Sequence, residues 1–166
     1  LHVRSRRQRQ MCIRDSKNGT AEEYALRYFA YLDNYSKFEK SVKGFLNEYM
    51  RDNSAKVLNA KRLSLFKSVF ATLAEAFPKG LSRGQTTITP VNLFEAISVG
   101  VALAIMQGVK VDVGRLRELV SDKNLKKLTT AGTNNRKMVV GRIEYVRDYL
   151  VSVSYTHLTL PTTPYV

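Results

Sequence analysis

Residues 89–108 constrain the fold more than any other stretch of the chain. Thr89-Pro90 is a helix start, a capping residue followed by proline at the first helical position, and Gly108 is a stop. From Ala96 to Met106 the segment between them is apolar nearly all round, without the polar stripe of a surface helix. A helix of that kind belongs at the centre of a bundle. Its 11-residue run is well short of the ~18–20 apolar residues that cross a bilayer, so no transmembrane span is expected.

The flanking sequence supplies the helices to surround it. Thr20-Ala21-Glu22-Glu23 has capping-box spacing and opens a helix to about Leu32, with Ala25, Tyr28, Phe29 and Leu32 on one face. Ser36-Lys37-Phe38-Glu39 repeats that spacing ahead of Phe38, Val42, Phe45, Leu46 and Tyr49. A third helix is expected from near Ala55 to Phe77, striped by Leu58, Leu65, Phe66, Val69, Phe70, Leu73 and Phe77 and stopped by Pro78 and Gly80. Leu81 to Thr89 reads as a polar connection. Asp112 caps a shorter helix carrying Leu116, Leu119 and Val120, and a single turn spans Asn124 to Leu128. Thr133-Asn134-Asn135 offers caps for a last helix whose Val139, Ile143, Val146 and Leu150 close the core. No segment alternates as a strand does and none repeats. The expected fold is an all-α bundle of about six helices.

Net charge points toward nucleic acid: 27 Lys+Arg against 14 Asp+Glu give +13. Part of that charge sits in an arginine-rich stretch at residues 1–16, and residues 152–166 contain no charged side chain. The strings Met11 to Ser16 (MCIRDS) and Val153 to Val166 (VSYTHLTLPTTPYV) resemble translated sequencing-adapter read-through, common at the edges of metagenomic gene models. Residues 1–16 and 152–166 are therefore expected to be non-native tails, the latter extended or disordered, around a helical domain at 17–151 cut from a longer protein. Without residues 1–16 the balance is still 22 basic to 13 acidic groups.

Both histidines (His2, His157) and the single cysteine (Cys12) fall in those tails. A domain without His or Cys has no Ser-His-Asp or Cys-His nucleophile system, no histidine-metal nuclease site and no zinc hydrolase site. The one Asp/Glu-x-Lys match, Asp15-Ser16-Lys17, straddles the tail junction, and there is no phosphate loop or Gly-x-Gly-x-x-Gly turn. Glu22 and Glu23 are adjacent carboxylates, but at a helix start they serve the N-terminal dipole. No catalytic, cofactor-binding or metal-ligating residue is assigned.

Two groups of segments carry a family resemblance. One is Glu22 to Leu32 (EEYALRYFAYL) with Phe45 to Met50 (FLNEYM). The other is Leu93 to Val99 (LFEAISV) with Gly132-Thr133-Asn134-Asn135-Arg136 and Gly141-Arg142-Ile143-Glu144. In this order they resemble the helical C-terminal portion of the ParB-like domain of GmrSD-type restriction proteins, bacterial anti-phage systems acting on modified DNA. The resemblance covers most of residues 20–150. It implies a cytoplasmic restriction endonuclease as parent, with this piece a non-catalytic subdomain supporting a nucleotide-binding part. The family's β-rich segment with an Asp-Gly-Gln-Gln-Arg-like motif and its HNH-type nuclease domain have no counterpart here. Nucleotide and divalent metal would belong to the full-length protein, and the partners implied are the missing N-terminal ParB-like part and DNA.

The candidate contact for DNA or phosphate is the basic cluster Lys123, Lys126, Lys127, Arg136, Lys137 and Arg142, around a helix N-terminus where Thr133 and Asn134 sit. Its lysines also fit a plain solvated face, and Arg142 also fits an ion pair inside the bundle. Arg27, beside Tyr24, Tyr28 and Tyr31, fits a nucleic-acid contact or a structural pair with a carboxylate. Two other roles suit the same residues: a free-standing basic nucleic-acid-binding module, or an interaction bundle whose apolar face meets the missing part.

Overall fold

The computed structural model describes residues 21–83, 89–130, 132 and 134–156. Among them are seven α-helices and no strand: α1 (21–34), α2 (Val42–Asn53), α3 (Ala60–Ala76), α4 (Val91–Met106), α5 (Val113–Val120), α6 (Lys123–Thr129) and α7 (Arg136–Thr156). A 3-10 turn at Tyr35–Lys37 follows α1. The all-α bundle expected from the sequence is the observed fold.

α4 is the axis. Residues Leu93 to Ala102 and Ala104 on it are all buried, and α7 runs along it in the most extensive contact of the bundle, with α3 and α6 also against it. The close approach is set at Gly100, where an added Cβ would lie 2.5 Å from both Cβ and Cγ1 of Val146 and 3.1 Å from the Ile143 carbonyl oxygen. α4 ends at Met106, and Gly108 follows with φ +80°, which turns the chain away without side-chain strain.

α1 is bound to the rest by rings. Tyr24 meets Phe94 edge-on at 4.5 Å, Tyr28 meets Phe66 and Phe70 of α3, and Tyr31 packs on Phe45 of α2. α2 sits outermost, burying Leu46 and Tyr49 against Ala30. α6 and α7 form an antiparallel hairpin: Asp122, just before α6, accepts from Tyr145 Oη, while Leu128 near its end lies against Gly141.

Several boundaries differ from the sequence reading. α2 begins at Val42 under a Ser41 cap, whose hydroxyl accepts from the Gly44 amide at 3.1 Å, rather than at Ser36. Phe38 is the reason. It is fully buried between Tyr31 and Phe45, and placing it there takes the chain through an extended ψ of 132°. α3 begins at Ala60, five residues later than expected, because the Asn59 side chain caps it at the Arg62 amide. Val57 and Leu58 are thereby left outside the stripe, Val57 at 94% exposure. Pro90 is the cap position of α4, one residue before its first turn. The single turn expected at 124–128 is a seven-residue helix, and residues 152–156 continue α7, with no proline or glycine to stop it.

In an ordinary exposed helix, Gly→Ala gains up to about 1 kcal/mol. Gly100→Ala is expected to do the opposite and cost about 1–3 kcal/mol in urea unfolding, since Val146 must give way. The same change in a Val146→Ala background should cost less. A stabilising Gly100→Ala would contradict the close crossing of α4 and α7.

Candidate nucleic-acid interface

The cations singled out in the sequence divide into two populations. Arg142, on α7, does not belong to a surface cluster. It is 0% exposed, and its Nη2 donates to Oε2 of Glu95, itself 1% exposed on α4. The other carboxylate oxygen, Oε1, accepts from Arg27 Nη1 at 2.7 Å. Arg27 then reaches outward, its Nη2 and Nε donating to Glu23 Oε1 at 2.6 and 2.9 Å. A chain of charges thus runs from the α1 surface through α4 to α7. The candidate contact from Arg142 to DNA is accordingly withdrawn: exposing that guanidinium would leave Glu95 buried with half its partners. Arg27 takes the structural role considered for it.

Burial pushes the Glu95 carboxyl up, and Arg142 and Arg27 pull against it. The rise persists even with a guanidinium on each oxygen. Burial also works against the Arg27 charge, but its hydrogen bonds to Glu23 and Glu95 outweigh that and raise its pKa. Tyr28 and Tyr31 are fully buried, and desolvation pushes the Tyr28 phenol up to about 12 and raises Tyr31 too. Neither offers a phenolate for acid–base work near neutrality. They are core residues and not stacking platforms.

Two further arginines close helix ends. Arg117 donates from Nε to the Ala76 carbonyl at 2.8 Å and from Nη2 to the Glu75 carbonyl at 3.0 Å, at the C-terminus of α3. Arg83 donates to the Val120 carbonyl at the end of α5 and to Thr129 Oγ1. Cations there satisfy orphan carbonyls and complement the dipole.

The remaining candidates form the second population. Lys123, Lys126 and Lys127 are exposed on α6, on the side opposite the buried Leu125 and Thr129. The short link from α6 leads to exposed Asn134 and then to exposed Arg136 and Lys137 in the first turn of α7. Thr133 lies outside the described residues. The cap of α7 is Asn135, whose Oδ1 accepts from the Met138 amide at 3.0 Å, so that end of the helix is already partnered by protein.

What marks this surface is the density of basic residues in a stretch without acidic ones. From residue 123 to residue 143 the sequence has six basic residues and no Asp or Glu. Among the described residues none of the five exposed cations makes an ion pair. The nearest carboxylate along the chain, Asp122, is occupied as the α6 cap. It accepts from the Leu125 and Asn124 amides at 2.8 and 2.9 Å and from Tyr145 Oη at 2.9 Å, and those bonds, the Leu125 amide first, hold its carboxyl below the usual range.

Elsewhere, α1 and α3 frame an apolar groove of about 470 Å³ lined by Tyr24, Phe66, Phe70, Leu73, Phe77 and Phe94. No group of three or more metal-binding side chains occurs among the described residues, and no helix there is long and apolar enough to cross a membrane. Comparison with protein-family models, with curated proteins and with solved structures finds no match for this chain.

The charge chain makes a sharp prediction. Glu95→Leu takes the carboxylate away from the wholly buried Arg142 and leaves Arg27 with Glu23, and should cost about 3–5 kcal/mol in chemical denaturation. Pairing it with Arg142→Met removes the buried charges together and should recover part of that loss. A double variant as unstable as the sum of the two single ones would contradict the pairing.

Proposed function

We propose that residues 17–151 form the non-catalytic helical subdomain of a cytoplasmic, GmrSD-like anti-phage restriction protein, and that α6 with the first turn of α7 contacts the phosphates of its DNA. The observation that carries the DNA contact is the run of exposed, unneutralised cations at Lys123, Lys126, Lys127, Arg136 and Lys137. Charge left unpaired on a folded surface binds a polyanion by releasing its counterions, without a preformed pocket. The family assignment rests on the resemblance. It is supported by the way its landmark segments meet: Arg27, Glu95 and Arg142 come from three different ones and form a single ion-pair chain. Nucleotide and divalent metal chemistry belongs to the parent's other parts, the ParB-like and nuclease domains that this chain would support.

The contact is tested on the 166-residue chain with a K123A/K126A/K127A/R136A/K137A variant. All five side chains are exposed, so the fold is expected to survive, and the arginines at residues 1–16 contribute equally to both proteins. Fluorescence anisotropy with a short labelled duplex should show the parent chain binding more tightly at about 50 mM salt. The slope of log affinity against log salt should fall by about 4–5 in the variant. Unchanged affinity and slope would remove the contact. Reading the source locus upstream of residue 17 tests the family: a β-rich segment with an Asp-Gly-Gln-Gln-Arg-like motif in frame is expected, and its absence would remove the assignment.

A further inference from the structure

We propose that the corner between α2 and α3 is a peripheral contact for an anionic lipid surface, with Val57 and Leu58 entering the lipid and Lys56, Lys61 and Lys67 meeting its headgroups. The proposal goes beyond the DNA contact of α6–α7 and does not rest on it. Four of the five large hydrophobic side chains exposed among the described residues, Met50, Val57, Leu58 and Leu63, fall between residues 50 and 63. Single exposed hydrophobics are ordinary, but four at one corner mark an interaction surface. Residues 54–61 are exposed without a break, and Val57 at their middle is 94% exposed. Folded chain holds this tip at both ends. The Lys56 amide donates to the Asn53 carbonyl at 3.0 Å, and Asn59 caps α3 at the Arg62 amide. Arg62 Nη2 then reaches Asp33 Oδ2 at 2.7 Å and Tyr49 Oη at 3.3 Å, tying the first turn of α3 to α1 and α2.

The charge around the tip names the partner. From residue 53 to residue 74 the sequence has Lys56, Lys61, Arg62 and Lys67 and no Asp or Glu. Arg62 is spent on Asp33, while the three lysines are exposed and make no ion pair among the described residues. On the α2 side, the exposed Glu48 and Asp52 both lie against Arg51, at 3.8 and 3.3 Å, so the cationic character belongs to the loop and α3. A second copy meeting this corner through the same patch would bring lysines against lysines. A rigid protein would need a pocket shaped to a protruding tip, whereas lipid closes round it. Lysine suits that medium: its stem lies along apolar surface while its ammonium stays at the level of the phosphates. Apolar insertion and attraction to anionic headgroups are each weak alone and hold a protein together. The contact is at the surface, since no described helix is long and apolar enough to cross a membrane.

The test exploits a chain without tryptophan. Val57→Trp in the 166-residue protein puts a single fluorescent reporter at the tip, and Lys127→Trp puts one on α6 as a control; both positions are exposed. A local reporter separates insertion at the tip from attraction of vesicles to the arginines of residues 1–16 or to the α6–α7 cations. The probe is vesicles of acyl-brominated phosphatidylcholine mixed with phosphatidylglycerol. The expected result is that V57W emission moves to shorter wavelength and is quenched by the bromines, while K127W is not quenched. Adding K56E and K61E to V57W should weaken the vesicle affinity read at that Trp on the order of tenfold. If V57W stays unshifted and unquenched on vesicles that sediment the protein, the chain is held elsewhere and the proposal is overturned. Equal quenching on vesicles of brominated phosphatidylcholine alone would overturn the anionic headgroup. A shift that grows with protein concentration in the absence of lipid would assign the tip to a second copy and overturn the lipid contact.

Discussion

The ion pairs on Glu95 are the interaction on which the rest of this bundle depends. α4 is apolar nearly all round, and burial of apolar surface is non-directional. Hydrophobic packing alone would place the helix at the centre without choosing which of its faces meets which neighbour. Glu95 is the only charged residue on α4, and it makes that choice. One oxygen has to face Arg27 on α1 and the other Arg142 on α7, which fixes the rotation of the axis relative to both. Gly100 then sets the depth, since Val146 occupies the space a side chain would need. Direction comes from the carboxylate, distance from the glycine.

That arrangement also decides what the chain's charge is available for. A net +13 says little until its arginines are located. Arg142 and most of Arg27 are consumed inside the bundle; Arg83 and Arg117 are spent on the carbonyls that end α5 and α3. The lysines and the arginine of the α6–α7 hairpin are left over. The carboxylate next to them in sequence, Asp122, is engaged in capping α6, and they face solvent without an ion pair. The buried pairs and helix-end contacts thus use arginines, and the cationic face is mostly lysine, separated by whether a carboxylate or carbonyl is in reach.

Much of the fold was legible because helix period and caps are local signals. The central position of α4, the Asp112 cap and the Val139-Ile143-Val146-Leu150 seam follow from spacing alone, and all four seam residues are buried. Where the reading slipped, a tertiary contact outweighed a local pattern. Ser36-Lys37-Phe38-Glu39 has capping-box spacing, but burying Phe38 defers the helix to Ser41. Ala55 to Leu58 continues the apolar period of α3, yet Asn59 caps the helix after it. The site was legible in part for the same reason. A cluster of cations is visible in sequence, but Arg142 lies one residue from the seam residue Ile143, and only the long-range pairing with Glu95 tells it from Lys137. A seam neighbour that is basic, in a bundle whose central helix carries one carboxylate, was the signal to use.

The most direct measurement of this account is a nitrogen–proton NMR titration of the full chain with a short duplex, following backbone amides across the bundle. The predicted result is that perturbations at low ligand concentration gather on Lys123 to Thr129 and Arg136 to Met138, while the amides around Arg27, Glu95 and Arg142 stay in place. Perturbations confined to residues 1–16, or centred on the Glu95 ion pairs, would contradict it.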